Sequence, residues 1–244
     1  MPLVDVGPEV FALRPDAAVL AIVARGLPSG PTDEMSRGWL RQAAAAAVAP
    51  DGDPHVVAWR EAYRQFGANP KRTRSSVDAL LRRAPDGLPQ INRLVDLYNA
   101  ISVAHRLPVG GEDLAGYAGR PRLVRAAGDE GFDTVENGAP VVRHPAPGEI
   151  IWRDDAGVTC RCWNWRQCVR TRITEATTDA LFLLERLEPM PLAGLHAAGH
   201  DLADRLRHLA PATRLTAELH TATATTPLDL GSNHPEPASS HTAG

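Results

Sequence analysis

A chain of 244 residues with 26 basic and 29 acidic side chains carries a formal net charge of −3. That length buries a substantial core without disulfide or metal staples, and the charge balance gives no global pull toward nucleic acid, so any such partner must be held by a local patch. Three cysteines crowded into 160–168 argue against a secreted disulfide scaffold and suit a reducing cytoplasm, and neither the opening MPLVDVGPEV nor any long apolar run offers an export or membrane-spanning segment.

In chain order, VFALRPDAAVLAIVARGL holds two short apolar runs around RPD and predicts a hairpin or two successive strands. Helices are expected over 33–48 and 54–66, the second with proline in its first turn and Val57, Tyr63 and Phe66 on one stripe that leaves Trp59 aside. The loop GANPKRTRSS ends where Ser75 or Ser76 can cap a further helix. Another helix is expected over 90–104, followed by a break at 108–111. Beyond it the short runs RPRLVRAA, PVVRH, GEIIWRD and VTCRCWNW read as strands, with DDAG turning between the last two. Helices over 177–188 and 192–209 complete the folded part. The prediction is a mixed α/β (α+β) fold, a helix-rich N-terminal half with a strand-rich second lobe, forming one domain over 1–219. Residues 220–244 lose periodicity and are expected to be a disordered tail, which makes His220, His234 and His241 weak functional candidates.

Three stretches hold groups suited to chemistry. In 160–174, arginines alternate with two tryptophans, an asparagine and a glutamine. If the strand extends over 158–163, Cys160 and Cys162 share one face while Arg161 and Trp163 share the other, with Asn164, Trp165 and Arg166 at the turn beyond. A guanidinium stacked on an indole beside amides makes a platform for a nucleotide or an aminoacyl ester; a solvated arginine face over a tryptophan core is the plainer account. The cysteines lack a fourth ligand for zinc, and no metal or other cofactor is expected. Lys71, Arg72 and Arg74 precede a helix start, where cations and backbone amides suit a phosphate or a carboxylate, though a charged surface loop fits equally. Seven basic residues against two acidic ones over 60–83 provide the local patch that the whole chain lacks. In INRLVDLYNAIS, Arg93, Asp96 and Asn99 recur every three residues, either facing a pocket or bonded between helices; Asn99 is the residue able to fix a water and a substrate oxygen together. Glycine-rich phosphate loops and hydrolase signatures are absent.

Taken together, GANPKRTRSSVDALLRRA, LPQINRLVDLYNAISVAHRLPVGGEDL, PAPGEIIWRD and CRCWNWRQCVRTRITEATTDALFLLE resemble the editing domain of the phenylalanyl-tRNA synthetase beta subunit, over about residues 59–188. The chain looks like a freestanding version of it. In that family the mixed α/β domain hydrolyses tyrosine wrongly attached to the phenylalanine tRNA. The family's VDxTN segment, which places a hydroxyl and an asparagine in the pocket, corresponds to VDLYN here: the threonine is missing, with Tyr98 at its position, and the asparagine is retained as Asn99. The family's glycine-rich segment falls at CWNWRQC, whose bulk reshapes the amino-acid pocket, so tyrosine is not carried over as the substrate. An acidic pocket residue falls near Glu185, and Thr174 and Thr178 lie in the threonine-containing approach to it.

The resemblance implies a trans-editing hydrolase, with Asn99 and Glu185 catalytic, and with Tyr98, Arg161, Trp163, Asn164, Trp165, Arg166 and Thr174 binding substrate. Lys71, Arg72 and Arg74 would then contact RNA, and the partner would be tRNA or aminoacyl-tRNA in the cytoplasm, with no membrane. Two alternatives remain open: a tRNA- or RNA-binding protein without catalysis, and an enzyme or sensor for a small amino-acid-like metabolite. The sequence leaves the oligomeric state open.

Overall fold

The computed structural model describes residues 2–231 and has a mixed α/β fold with helix-rich and strand-rich regions. The chain opens with β1 (Asp5–Val6), α1 (Pro8–Leu13) and β2 (Ala18–Arg25), then runs through α2 (Glu34–Ala45), α3 (Pro54–Gln65), α4 (Ser76–Arg83) and α5 (Arg93–His105). Strands β3 (Val109–Asp113), β4 (Arg122–Arg125), β5 (Phe132–Glu136), β6 (Ala139–Arg143), β7 (Ile150–Arg153), β8 (Val158–Arg161), β9 (Arg166–Gln167) and β10 (Asp179–Arg186) follow. Helix α6 (Leu192–Leu209) and strands β11 (Arg214–Thr221) and β12 (Thr225–Pro227) close the described chain.

Helices α2 to α5 each begin at a side chain that holds an orphan backbone N–H, whereas α6 starts after Pro191 without one. Asp33 and Ser36 form a reciprocal capping box at α2. Asp53 accepts from His55 N and Val56 N at α3, Ser75 from Asp78 N at α4, and Asn92 from Val95 N at α5.

The central sheet has the order β12-β11-β2-β10-β3 and is antiparallel throughout. Its two middle strands are buried on both faces, so AVLAIVA and ALFLLE carry continuous apolar runs instead of alternation. Such a run has no period to distinguish strand from helix, which is why 177–188, expected as a helix, is instead β10 at the heart of the sheet. On one face Leu20, Ile22, Phe182 and Leu184 pack against Leu97 and Ile101 of α5 and Leu202 and Leu206 of α6. On the other, Val19, Ala21, Leu181 and Leu183 meet α3, α4 and a second sheet of order β1-β4-β7-β8-β9.

Other expectations also change. The first apolar run of 10–27 is helix α1, because Pro8 starts a turn, and only the second is a strand. In α3 the buried face is Val56, Trp59, Ala62 and Tyr63, with Phe66 buried just beyond its end; Tyr63 and Phe66 of the expected stripe are buried, whereas Val57 is 47% exposed and Trp59, left aside, is at the centre. The expected break at 108–111 begins β3, where Gly111 lets the Tyr98 ring approach the strand: a Cβ there would come within 2.8 Å of that ring. Residues 220–231 are folded, with His220 buried in β11 and β12 paired to it; His234 and His241 lie outside the described residues.

Candidate functional site

The space between the two sheets contains a cavity of about 150 Å³, comparable to one that holds a benzene ring. Its walls come from α4 (Ser76), α5 (Tyr98 and Asn99), β3 (Val109, Gly110, Glu112), β7 and β8 (Trp152, Cys160), the bend between β8 and β9 (Trp163 to Trp165, with Arg166 and Gln167) and β10 (Leu183 and Glu185). The separated segments VDLYN and CWNWRQC therefore meet around one cavity.

The bend is shaped by two consecutive left-handed residues, Cys162 at φ 47° and Trp163 at φ 64°. Each such non-glycine conformation costs roughly 1–2 kcal/mol, so the surroundings must hold it. Glu149 accepts from Cys162 N at 2.8 Å, and Trp163 N donates to Ile150 O at 2.6 Å. The strand thus ends at Arg161, and the bend turns the Trp163 indole into the core, where its ring meets Trp59 edge-on at 5.1 Å. Arg161 and Trp163 do not share a face, contrary to the expectation from alternation. Arg161 is also unavailable to a ligand: it forms a bidentate pair with Glu149 at 3.0 and 2.7 Å. Arg166 is exposed and stacks on the half-buried Trp165 ring at 4.7 Å, giving the cation-on-indole platform at the rim.

Glu185 projects from β10 and is fully buried. It accepts from Trp152 Nε1 and Asn164 Nδ2, both at 2.8 Å, while Asn164 Oδ1 takes the Tyr63 hydroxyl at 2.8 Å. Burial raises the Glu185 carboxyl to about 7, the largest effect; the bonds from Asn164 and Trp152 oppose it, and the Glu112 charge adds to the rise. Trp163 Nε1 lies close enough to favour the ionised carboxylate, yet has no hydrogen-bond partner of its own. Glu112, also buried, accepts from the Tyr117 hydroxyl at 2.6 Å, and burial raises it too.

Two polar groups face the cavity without a protein partner. The Asn99 side chain is 9% exposed and bonded to no described residue, and Ser76 Oγ is buried and unpaired. The rest of the α5 polar stripe is structural: Arg93 bonds Asp33 and Pro28 O, and Asp96 accepts from Ser36, Thr32 and Ile91 N.

Seven of the nine residues expected to bind or react with substrate line the cavity: Asn99, Glu185, Tyr98, Trp163, Asn164, Trp165 and Arg166. Arg161 and Thr174 do not. Thr174 is exposed in the loop before β10, where its hydroxyl accepts from Ala176 N and closes a local turn. Thr178 borders a different groove with Arg25 and Tyr117. Lys71 and Arg74 line a neighbouring groove with Arg60, Arg64 and Arg82. There Arg60 and Arg82 are tied to Asp78, while Lys71, Arg72 and Arg74 carry no ion pair among the described residues. Arg74 stands two residues before Ser76, so this basic groove adjoins the cavity wall.

Sequence reasoning missed Ser76 as a lining residue, having taken it only as a cap, and missed Glu112. The signal for Glu112 was an acidic residue after two glycines, hidden because 108–111 read as a break. The three cysteines are free and buried, and burial pushes the Cys160 thiol well up. Among the described residues no group of three or more His, Cys, Asp or Glu side chains is arranged to hold a metal ion, and no helix is long and apolar enough to cross a membrane.

The sequence model of the B3/4 domain matches residues 58–206, more than half of the chain. Among solved structures, the chain is similar to an N-terminal fragment of the phenylalanyl-tRNA synthetase beta subunit from Pyrococcus horikoshii, at 13% identity and a TM-score of 0.49. That likeness covers 93% of this chain and 54% of the other, so this chain spans about half the length of the fragment. No curated protein matches.

Proposed function

The chain belongs to the B3/4 domain family, and from that premise we propose that it hydrolyses the ester of an amino acid wrongly attached to tRNA. The observation that carries this reading is the meeting of Asn99 with the tryptophan-arginine bend around a single cavity. An aminoacyl ester is already activated, so its hydrolysis needs a positioned water and modest stabilisation of the charge that develops on the carbonyl oxygen. Asn99, buried with a free amide, holds that water or the ribose hydroxyl. The unpaired Ser76 hydroxyl, at the first turn of α4, donates to the carbonyl oxygen.

The remaining groups separate the two ends of the substrate. Arg166 on Trp165 meets the terminal phosphate and ribose at the rim. Lys71 and Arg74, unpaired along the adjoining groove, and the exposed Arg72 between them in the loop meet phosphates of the acceptor end, a term that weakens with salt. Tyr98, Trp163 and Glu185 form the wall that receives the amino acid.

A panel of mischarged tRNAs, tested with wild type and with Asn99→Ala, Ser76→Ala and Arg166→Ala, checks this. Wild type is expected to release the amino acid from at least one pair, and each variant to lose at least tenfold in rate. Tight tRNA binding with no release from any pair overturns the hydrolytic reading.

A further inference from the structure

We infer that the cavity selects a cationic amino-acid side chain, an ammonium or guanidinium group on a short aliphatic stem, received between Glu112 and Glu185; this rests on the reading that an aminoacyl ester enters here. The molecule treats its other buried carboxylates differently. Asp78 is held by Arg60 and Arg82, Glu149 by Arg161 and Asp154 by Arg170, and the remaining buried acids also have an arginine, apart from Asp96. Asp96 is satisfied by two hydroxyls and a backbone N–H and lines no cavity described above. Glu112 and Glu185 are the exceptions that face open space. Both are at most 2% exposed, both line the cavity, and neither has a cationic partner among the described residues.

Their placement fits one ligand. In the register of β10 with β3, Leu181 lies opposite Glu112 and Leu183 opposite Gly110, and Glu185 follows on the same face. The two acids therefore bracket an apolar floor made by Leu183, with Gly110 leaving room above it. A volume of about 150 Å³ admits roughly six heavy atoms, the length of an extended basic side chain. Two further groups face this space without partners: the Asn99 amide, more than nine-tenths buried, and the buried Ser76 hydroxyl oxygen. They mark the cavity as built to be filled and not merely as an acidic pair.

The energetics separate substrate classes. An apolar side chain would leave two buried carboxylates with only neutral hydrogen-bond donors and no counter-charge, which is unfavourable. A neutral hydroxyl would satisfy one acceptor and leave the like-charge repulsion in place. A cation offsets both charges at once, and in a low-dielectric cavity that attraction is far stronger than in water.

The test uses non-hydrolysable 3′-amide aminoacyl-adenosines carrying lysine, norleucine or tyrosine, with wild-type protein first. Norleucine keeps lysine's four-carbon stem and lacks the terminal ammonium. The lysyl conjugate is expected to bind at least tenfold more tightly than the other two, and Glu112→Gln with Glu185→Gln to erase that preference while norleucyl binding persists. Norleucyl or tyrosyl binding as tight as lysyl in wild type overturns the inference while leaving the deacylase reading standing. In a parallel arm, thermal stabilisation by pentylammonium but not by pentanol, with no conjugate bound, supports the cation-selective cavity and sinks the ester-binding reading on its own.

Discussion

The two faces of β10 differ although the strand is almost equally buried along its length. Phe182 and Leu184 face α5 and α6 across an apolar interface, with Tyr98 edge-on to Phe182 at 6.2 Å. Leu181, Leu183 and Glu185 face the second sheet, where polar atoms accumulate and several lack partners. A packed interior leaves few such atoms unsatisfied, because each costs about 1–3 kcal/mol. The difference teaches that one face of the sheet provides stability, and that this surplus tolerates the left-handed bend and open polar groups on the other.

The comparison breaks most directly at adjacent leucines. Leu184→Ala, in the closed layer, should cost about 4 kcal/mol in urea unfolding, whereas Leu183→Ala beside the cavity should cost about 2 kcal/mol, since water can enter the enlarged space. Equal costs would mean that the two faces are packed alike. Asp154→Asn comes next. Burial would raise the Asp154 carboxyl, but Arg170 and the Ala118 and Ala156 N–H groups more than offset it and hold it below its usual range. Its contribution is present above the unfolded value of 3.8 and lost as pH falls through the lower folded value. Removing the charge should therefore destabilise at pH 7 and matter little at low pH, as thermal melts across pH would show.

Glu185 has the opposite sign. Its folded carboxyl, near 7, retains a proton that the unfolded one, near 4.5, releases. Stability should fall as pH rises from 4.5 through 7, by up to about 3 kcal/mol. Glu185→Gln should make that decline shallower, with Glu112, raised in the same direction, supplying what remains; an unchanged slope would show that Glu185 is ionised throughout. The smallest effect on stability is expected at Asn99→Ala, under about 1 kcal/mol because the amide has no partner to lose, together with the rate loss predicted above. A large drop in melting temperature would instead make Asn99 a structural residue.

How far the sequence reaches depends on which residues are read. The cap at Ser75 was legible because its side chain acts on backbone three positions away, a local effect, whereas the start at Asn92 was read two residues too early. Helix α6 was legible over its whole length for a similar reason, an amphipathic period with no competing pattern. Strand β10 was not, since burial on both faces removes the alternation that identifies a strand. Within the candidate site, Asn99, Trp165 and Arg166 were legible as chemical types in motif-like segments. Arg161 misled, because its partner Glu149 lies twelve residues away and only the fold brings them together.

Read alone, the sequence marks the approximate spans of α2 to α6, a cap at Ser75, the turn at 154–157, the basic loop at 71–74 and the short list of polar groups in VDLYN and CWNWRQC. All of these depend on interactions within a few residues or on side-chain chemistry. Only the tertiary structure decided that α5, the bend and β10 enclose one cavity, that Trp163 points inward while Arg166 remains free, and that Glu112 and Glu185 face the same space without a cation. Those outcomes depend on which strands pair and which faces are covered, and contacts between distant segments are set by the burial of the whole chain at once.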